Sequence, residues 1–123
     1  MSHAEAFLNL VNAAKKVIRE CTLEDVLRKR EAGEKFHFVD TREDEEWKAG
    51  RAQGALHLGK GVIERDIETE LPNKSDAIIL YCGGGFRSAL AAEAIQKMGY
   101  TNVISMDGGI KAWRARGLPE DRG

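Results

Sequence analysis

Apolar positions recur at two different spacings along this chain, and the spacing changes from segment to segment. Near the N-terminus, Ala4, Phe7, Leu8, Val11 and Ala14 lie three or four residues apart, which predicts an amphipathic helix over about 4–16. A short extended piece over 17–21 follows. "LEDVLRKREAG" predicts a second helix over about 23–32, opened by the capping-box pair Thr22 and Asp25 and closed by Gly33. "KFHFVD", 35–40, alternates with period two and predicts a strand. "REDEEWKAG", 42–50, predicts a short helix, acidic at its start as the helix dipole favours. "ALHL", 55–58, reads as a short strand, and "GVIERDIETEL" as helix or turn stopping before Pro72. "AIILY", 77–81, is an unbroken apolar run, the pattern of a strand buried on both faces of a parallel sheet. Helical spacing returns in "FRSALAAEAIQKM" through Leu90, Ala94, Ile95 and Met98, ending at Gly99. "TNVISM" predicts the last strand, and "DGGIKAWRARGLP" a short final helix closed by Gly117 before Pro119. Strands alternating with helices predict an α/β fold with a mainly parallel central sheet.

Length and charge narrow the picture. A chain of 123 residues with no repeat, low-complexity tract or linker predicts one domain over 1–123. The formal net charge of −1 supplies no basic field for a nucleic acid or an anionic membrane surface. No stretch approaches the roughly 20 apolar residues of a membrane span. "MSHAEAFLNLVNAAKKVIRE" lacks a basic region ahead of an unbroken apolar core, so no signal peptide is predicted and the expected location is the cytoplasm. Cys21 and Cys82 have neither zinc nor C-x-x-C spacing, which predicts free thiols in a reducing compartment.

The candidate chemistry lies in "YCGGGFRSAL", 81–90. This stretch joins the carboxyl end of the apolar strand to the start of a helix, where open α/β sheets bind ligands. A helix N-terminus offers unpaired N–H groups and partial positive charge, conditions that favour a thiolate at Cys82. Gly83, Gly84 and Gly85 let successive amides close round an anion, and Arg87 adds a forked cation. An inert buried cysteine in an ordinary turn is the plain alternative.

Together these motifs resemble a single-domain rhodanese, a sulfurtransferase of the thiosulfate type. Cys82-Gly83-Gly84-Gly85-Phe86-Arg87 resembles that family's six-residue active loop. Asp40, Arg42, Glu46, Trp47 and Gly50 resemble its upstream signature, and Gly108, Gly109 and Trp113 its C-terminal one. The resemblance covers about 17–119 and leaves the first helix (1–16) outside it. It implies a rhodanese-like sheet with helices on both faces. It also implies a double displacement with no cofactor: Cys82 takes sulfane sulfur from thiosulfate or a similar small anion, then passes it to a thiophilic acceptor such as cyanide, a thiol or a protein. Two departures stand out: Arg51-Ala52 replaces a common His-hydrophobic pair, and Gly83 replaces a common arginine. A non-catalytic binding module or a protein sulfur carrier is the alternative in another class. A cysteine phosphatase or arsenate reductase is disfavoured because its loop is C-x5-R, one residue longer than the C-x4-R present here.

The remaining residues divide between functional and ordinary roles. Asp40 either accepts hydrogen bonds from the active loop or caps a helix. Arg42 lends positive potential to the pocket or, as the favoured reading, pairs with Glu45 or Glu46 on the surface. Ser88 caps or packs the loop helix. Trp47 and Trp113 are expected to anchor the core. None of His3, His37 and His57 is assigned a metal. Cys21 is expected to be a small buried side chain, with a resolving role as the alternative.

Overall fold

All four residues of the strand Ile78–Tyr81 are buried, and the architecture follows from covering both of its faces. The computed structural model describes residues 3–123, so the first two positions of the expected domain lie outside the described residues. Along the chain run α1 (Glu5–Lys15), β1 (Arg19–Cys21), α2 (Leu23–Glu31), β2 (His37–Asp40), α3 (Asp44–Ala49), β3 (Arg51–Ala52) and β4 (Leu56–His57). They are followed by α4 (Ile63–Glu70), β5 (Ile78–Tyr81), α5 (Phe86–Lys97), β6 (Val103–Met106), α6 (Gly109–Ala115) and β7 (Glu120–Asp121). Five strands form a parallel sheet in the order β1-β6-β5-β2-β4. The α/β class with helices on both faces is therefore as the sequence predicts.

Strand alternation sorts the core into two layers. Val39, Ile78 and Leu80 pack with Ile63 and Ile67 of α4 and Ala91, Ala92 and Ile95 of α5. Phe38, Ile79 and Tyr81 pack on the opposite face with Leu23 and Val26 of α2 and Ile110 and Trp113 of α6. α1 lies along α5, burying Val11 and Ala14. None of the six helices among the described residues is long and apolar enough to cross a membrane.

The strand order creates the place for a site. After β2 the chain builds β4 on one side of it, then returns to place β5 on the other. Ligands bind at such a reversal, in the crevice beyond the carboxyl ends of the two strands. Thr41 closes that crevice at its base: both its N–H and its hydroxyl donate to the Tyr81 carbonyl, each at 2.9 Å.

Several local expectations need settling or correction. Of the two readings open for residues 63–70, helix or turn, the structure takes the helix. β3 and β7, each two residues long, pair antiparallel beside the main sheet and were not anticipated, because two residues carry no periodicity. Trp113 is a core anchor, but Trp47 is only half-buried; its ring stacks on His57 at 4.7 Å, with the Arg51 guanidinium 4.5 Å from its centroid.

Arg42 departs most from expectation. Instead of pairing with Glu45 or Glu46 on the surface, it is 3 % exposed and lies against Asp40. Its Nη2 donates to Asp40 Oδ2 at 2.8 Å and to the Gly50 carbonyl at 2.7 Å. Asp40 Oδ1 also accepts the Arg42 N–H at 2.8 Å, so Asp40 neither caps α3, whose N-cap is Glu43, nor bonds the glycine loop. The reason is the position of the helix start. α3 begins at Asp44, so Arg42 is not on the helix with the glutamates and folds back on the strand end. Burial works against the Arg42 charge, but hydrogen bonds and attraction from Asp40 outweigh it and raise its pKa. Removing one partner of a buried ion pair strands the other. Asp40→Ala is therefore expected to cost about 3–5 kcal/mol of unfolding free energy in urea titration. A loss below about 1 kcal/mol would contradict this placement.

Candidate functional site

Cys82 is the first residue beyond β5, and its sulfur has two hydrogen-bonding neighbours. Gly85 N–H donates to Cys82 Sγ at 3.2 Å. The thiol lies 3.5 Å from Ser88 Oγ, which in turn is 2.8 Å from Ser105 Oγ on β6. Both serines are fully buried, so this hydroxyl chain is isolated from bulk water. Ser88 therefore does more than pack: it is the side-chain hydroxyl beside the sulfur. The N–H groups of Gly84, Phe86, Arg87 and Ser88 donate to no acceptor among the described residues.

The loop's backbone is turned by its contact with α6. Ile110 N–H donates to the Cys82 carbonyl at 2.8 Å, and Lys111 N–H to the Gly83 carbonyl at 3.2 Å. This approach needs a glycine at 109. That residue has φ +54°, and a Cβ there would overlap the Cys82 carbonyl oxygen and lie 2.6 Å from that of Gly83. Gly85 is required for a related reason. Its φ of +102° is left-handed, and a Cβ would meet Asp107 Oδ1 at 3.0 Å. Gly83 and Gly84 have negative φ, so the triple glycine is not needed throughout for chain direction. At Gly83 the constraint is space, since a Cβ would press on Arg87 Nη2 at 3.1 Å.

Arg87 is not a free cation. Its two terminal nitrogens meet the two carboxylate oxygens of Glu46 at 2.6 and 3.0 Å, a forked pair. The Arg87 hydrogen bonds hold the Glu46 carboxylate in its charged form and push its pKa down to about 2, against partial burial. The same pair raises the pKa of Arg87. This contact ties α3 to α5 across the crevice. Glu46 stood out in the run "REDEE" only through the upstream signature, and nothing in the pattern points to Arg87 as its partner.

A cavity of about 410 Å³ opens onto Cys82. Gly83 and Gly84 form part of its wall, with Glu46, Arg87 and Lys111 as its charged groups. Phe86, Phe7 and His3 form an aromatic cluster beside it: His3 lies 4.5 Å from Phe86 and 5.4 Å from Phe7 between ring centroids. Asp40 and Arg42 do not line this cavity. Cys21 is also remote. It sits opposite Met106 on β1, with β6 between it and β5, and burial pushes its thiol up to about 11. Two strand spacings, roughly 9–10 Å, exceed the Cα separation a disulfide spans.

A strand-loop-helix cysteine, an α6 terminus docked on it and the motifs that frame both fall within one stretch of chain: the family model "Rhodanese-like domain" matches residues 22–116. The chain belongs to the rhodanese-like family. Among rhodanese-like relatives, the chain is 30 % identical over 104 residues to the putative sulfurtransferase YtwF of Bacillus subtilis, covering 85 % of this chain and 98 % of that one. It is 35 % identical to the thiosulfate sulfurtransferase PspE of Escherichia coli, covering 61 % and 71 %. It is 32 % identical to the putative sulfur carrier protein YrkF of Bacillus subtilis, covering 80 % of this chain and only 52 % of YrkF, about half its length. Among solved structures, a rhodanese with anions from Escherichia coli superimposes with TM-score 0.63 at 31 % identity, covering 72 % and 100 %. A protein of unknown function from Rhodopseudomonas palustris, described as a possible tyrosine phosphatase, gives 0.82 at 28 %, covering 98 % of both chains.

The rhodanese-like segment thus begins after α1, yet His3 and Phe7 line the cavity. Helical spacing made α1 legible but could not say what its apolar face would cover.

Two outcomes follow from this geometry. Gly109→Ala should lower the melting temperature and broaden the amide resonances of 82–87, because a Cβ collides with two backbone carbonyls; an unchanged spectrum would contradict the docking. Carbon-detected titration of Glu46 should show it still charged well below an ordinary glutamate, with a midpoint near 2. The sign is that of a depressed carboxylate: the pair stabilises the fold above the unfolded pKa of about 4.3, and the benefit fades as pH falls toward the folded value. In Arg87→Ala the midpoint should return toward the ordinary range.

Proposed function

We propose that this chain is a cytoplasmic sulfurtransferase that carries sulfane sulfur as a persulfide on Cys82. The observation that carries the reading is the Gly85 N–H on Cys82 Sγ, together with the unpaired N–H groups at the start of α5. Donors fixed before a reaction stabilise negative charge without reorganising, and that charge is what a thiolate and a persulfide share.

The first half-reaction is an attack by the Cys82 thiolate on the outer sulfur of a donor such as thiosulfate. A new S–S bond forms, the donor's own S–S bond breaks, and sulfite leaves with the electron pair. The enzyme then holds Cys82 as a persulfide anion. In the second half-reaction, cyanide or a thiolate attacks the terminal sulfur, and the Cys82 thiolate is the leaving group. Each step exchanges one nucleophile for another, so no net oxidant, reductant or general base is required. Ping-pong kinetics are expected. Ser88 can turn its hydroxyl hydrogen toward the charged sulfur while accepting one from Ser105, both within hydrogen-bonding reach.

Phosphate-ester hydrolysis fits the site less well. The loop is one residue shorter than C-x5-R, and both terminal nitrogens of Arg87 are already held by Glu46. Delivery of the sulfur to a protein instead of a small thiol is the second reading, favoured by similarity to a protein named as a putative sulfur carrier.

Thiocyanate formation from thiosulfate and cyanide tests the proposal. The wild-type chain should turn over and gain one sulfur atom in intact mass after donor treatment. Cys82→Ser should lose at least 10³-fold in rate and gain no mass. Thiocyanate formation that survives the substitution would overturn the assignment, and Cys82-dependent cleavage of p-nitrophenyl phosphate would replace it with the phosphatase. Mass gain with no turnover to cyanide or small thiols would support the carrier reading.

A further inference from the structure

The sulfur-transfer reading leaves open which donor the cavity accepts, and the cavity's walls bear on that choice. We propose that the donor is an organic sulfur compound bearing a single negative charge, and that the aromatic wall reaching in from the N-terminal segment selects it. The inference rests on the proposed sulfur transfer at Cys82.

Two independent observations support it. The first is charge. The ionised groups lining the cavity are Glu46, Arg87 and Lys111, a net of one positive charge. Arg87, which an inorganic dianion would need, has its fork filled by the Glu46 carboxylate. A dianion entering here must either displace that carboxylate or lie beside it, and like charges at contact distance repel. A monoanion can be met by Lys111 and the loop amides with the Arg87–Glu46 pair intact.

The second observation is shape and polarity. At about 410 Å³ the cavity falls in the range that accommodates organic ligands, not just a small inorganic ion. Phe7, His3 and Phe86 stand against it with ring centroids 4.5–6.3 Å apart, the separation at which aromatic groups attract one another. An aryl or alkyl group on the donor would extend that cluster. Phe7 and His3 precede the residue where the family match begins, so this wall lies outside the matched segment.

Benzenethiosulfonate is a suitable probe. Its terminal sulfur is attacked by the Cys82 thiolate, the sulfur–sulfur bond breaks, and benzenesulfinate leaves with the electron pair. The products are the Cys82 persulfide and a monoanion, so charge and atoms balance as they do with thiosulfate. The readout is the ratio of kcat/KM for benzenethiosulfonate to that for thiosulfate, both with cyanide as acceptor. For the wild-type chain we expect a ratio of at least about ten. Phe7→Ala should lower the ratio about tenfold, chiefly by raising KM for the aryl donor, and Phe7→Leu should fall between. Glu46→Ala frees the fork of Arg87 and should raise kcat/KM for thiosulfate several-fold, a gain that a damaged fold would not produce. A wild-type ratio near one, or a ratio that neither the Phe7 nor the Glu46 substitutions move, overturns the donor assignment while leaving sulfur transfer intact. No transfer from either donor by the wild-type chain overturns both.

Discussion

Two hydrogen bonds, from Ile110 and Lys111 to the carbonyls of Cys82 and Gly83, govern the site. A peptide unit carries its carbonyl and N–H on opposite sides, so committing the carbonyls to α6 constrains which way the following amides can face. The loop is thereby held by a helix that contributes none of its own nucleophiles. Gly109 makes this approach feasible, and Trp113, one helical turn further, anchors α6 in the core with its ring N–H on the Pro119 carbonyl at 2.8 Å. The C-terminal glycines and tryptophan are thus one device: one end meets the loop and the other fixes the helix that meets it.

Charge at the crevice is organised in two tiers. Asp40 and Arg42 form a buried pair beneath it that sets the path of the chain leaving β2 and grips the Gly50 carbonyl. Glu46 and Arg87 form a half-exposed pair above it that joins α3 to α5. The lower pair is structural, since neither partner lines the cavity. The upper pair touches the cavity and also limits it, because a carboxylate in the Arg87 fork occupies the position a second anion would seek. The same residue types therefore serve distinct ends according to depth.

How far the chain could be read in advance depended on length and periodicity. "AIILY" announced a doubly covered strand, and Val11 with Ala14 marked a buried helix face; in α5 only Ile95 of the predicted Leu90, Ala94, Ile95 and Met98 is fully buried, and the covered face runs instead through Ala91, Ala92 and Ile95. The loop around Cys82 was legible because strand end, glycines and helix start occur in immediate succession. Arg42 was misplaced because its spacing to Glu45 and Glu46 was counted on a helix that starts only at Asp44. Glu46 and Phe7 escaped as site residues because their partners lie 41 and 79 positions away in sequence, at Arg87 and Phe86. No local pattern encodes such distances. β3 and β7 were invisible for a simpler reason: their pairing is a consequence of the tail meeting the α3 turn.

The separation of Cys21 from Cys82 by an intervening strand has a consequence for how the site behaves over time. A sulfur placed on Cys82 has no second thiol within reach to fold back and release it, and Cys21 is held protonated in any case. In the proposed reaction, discharge would have to come from outside, and the lifetime of a loaded Cys82 would be set by the supply of acceptor. Under the proposed sulfur transfer, the chain would hold one sulfur at a time until an outside acceptor collected it.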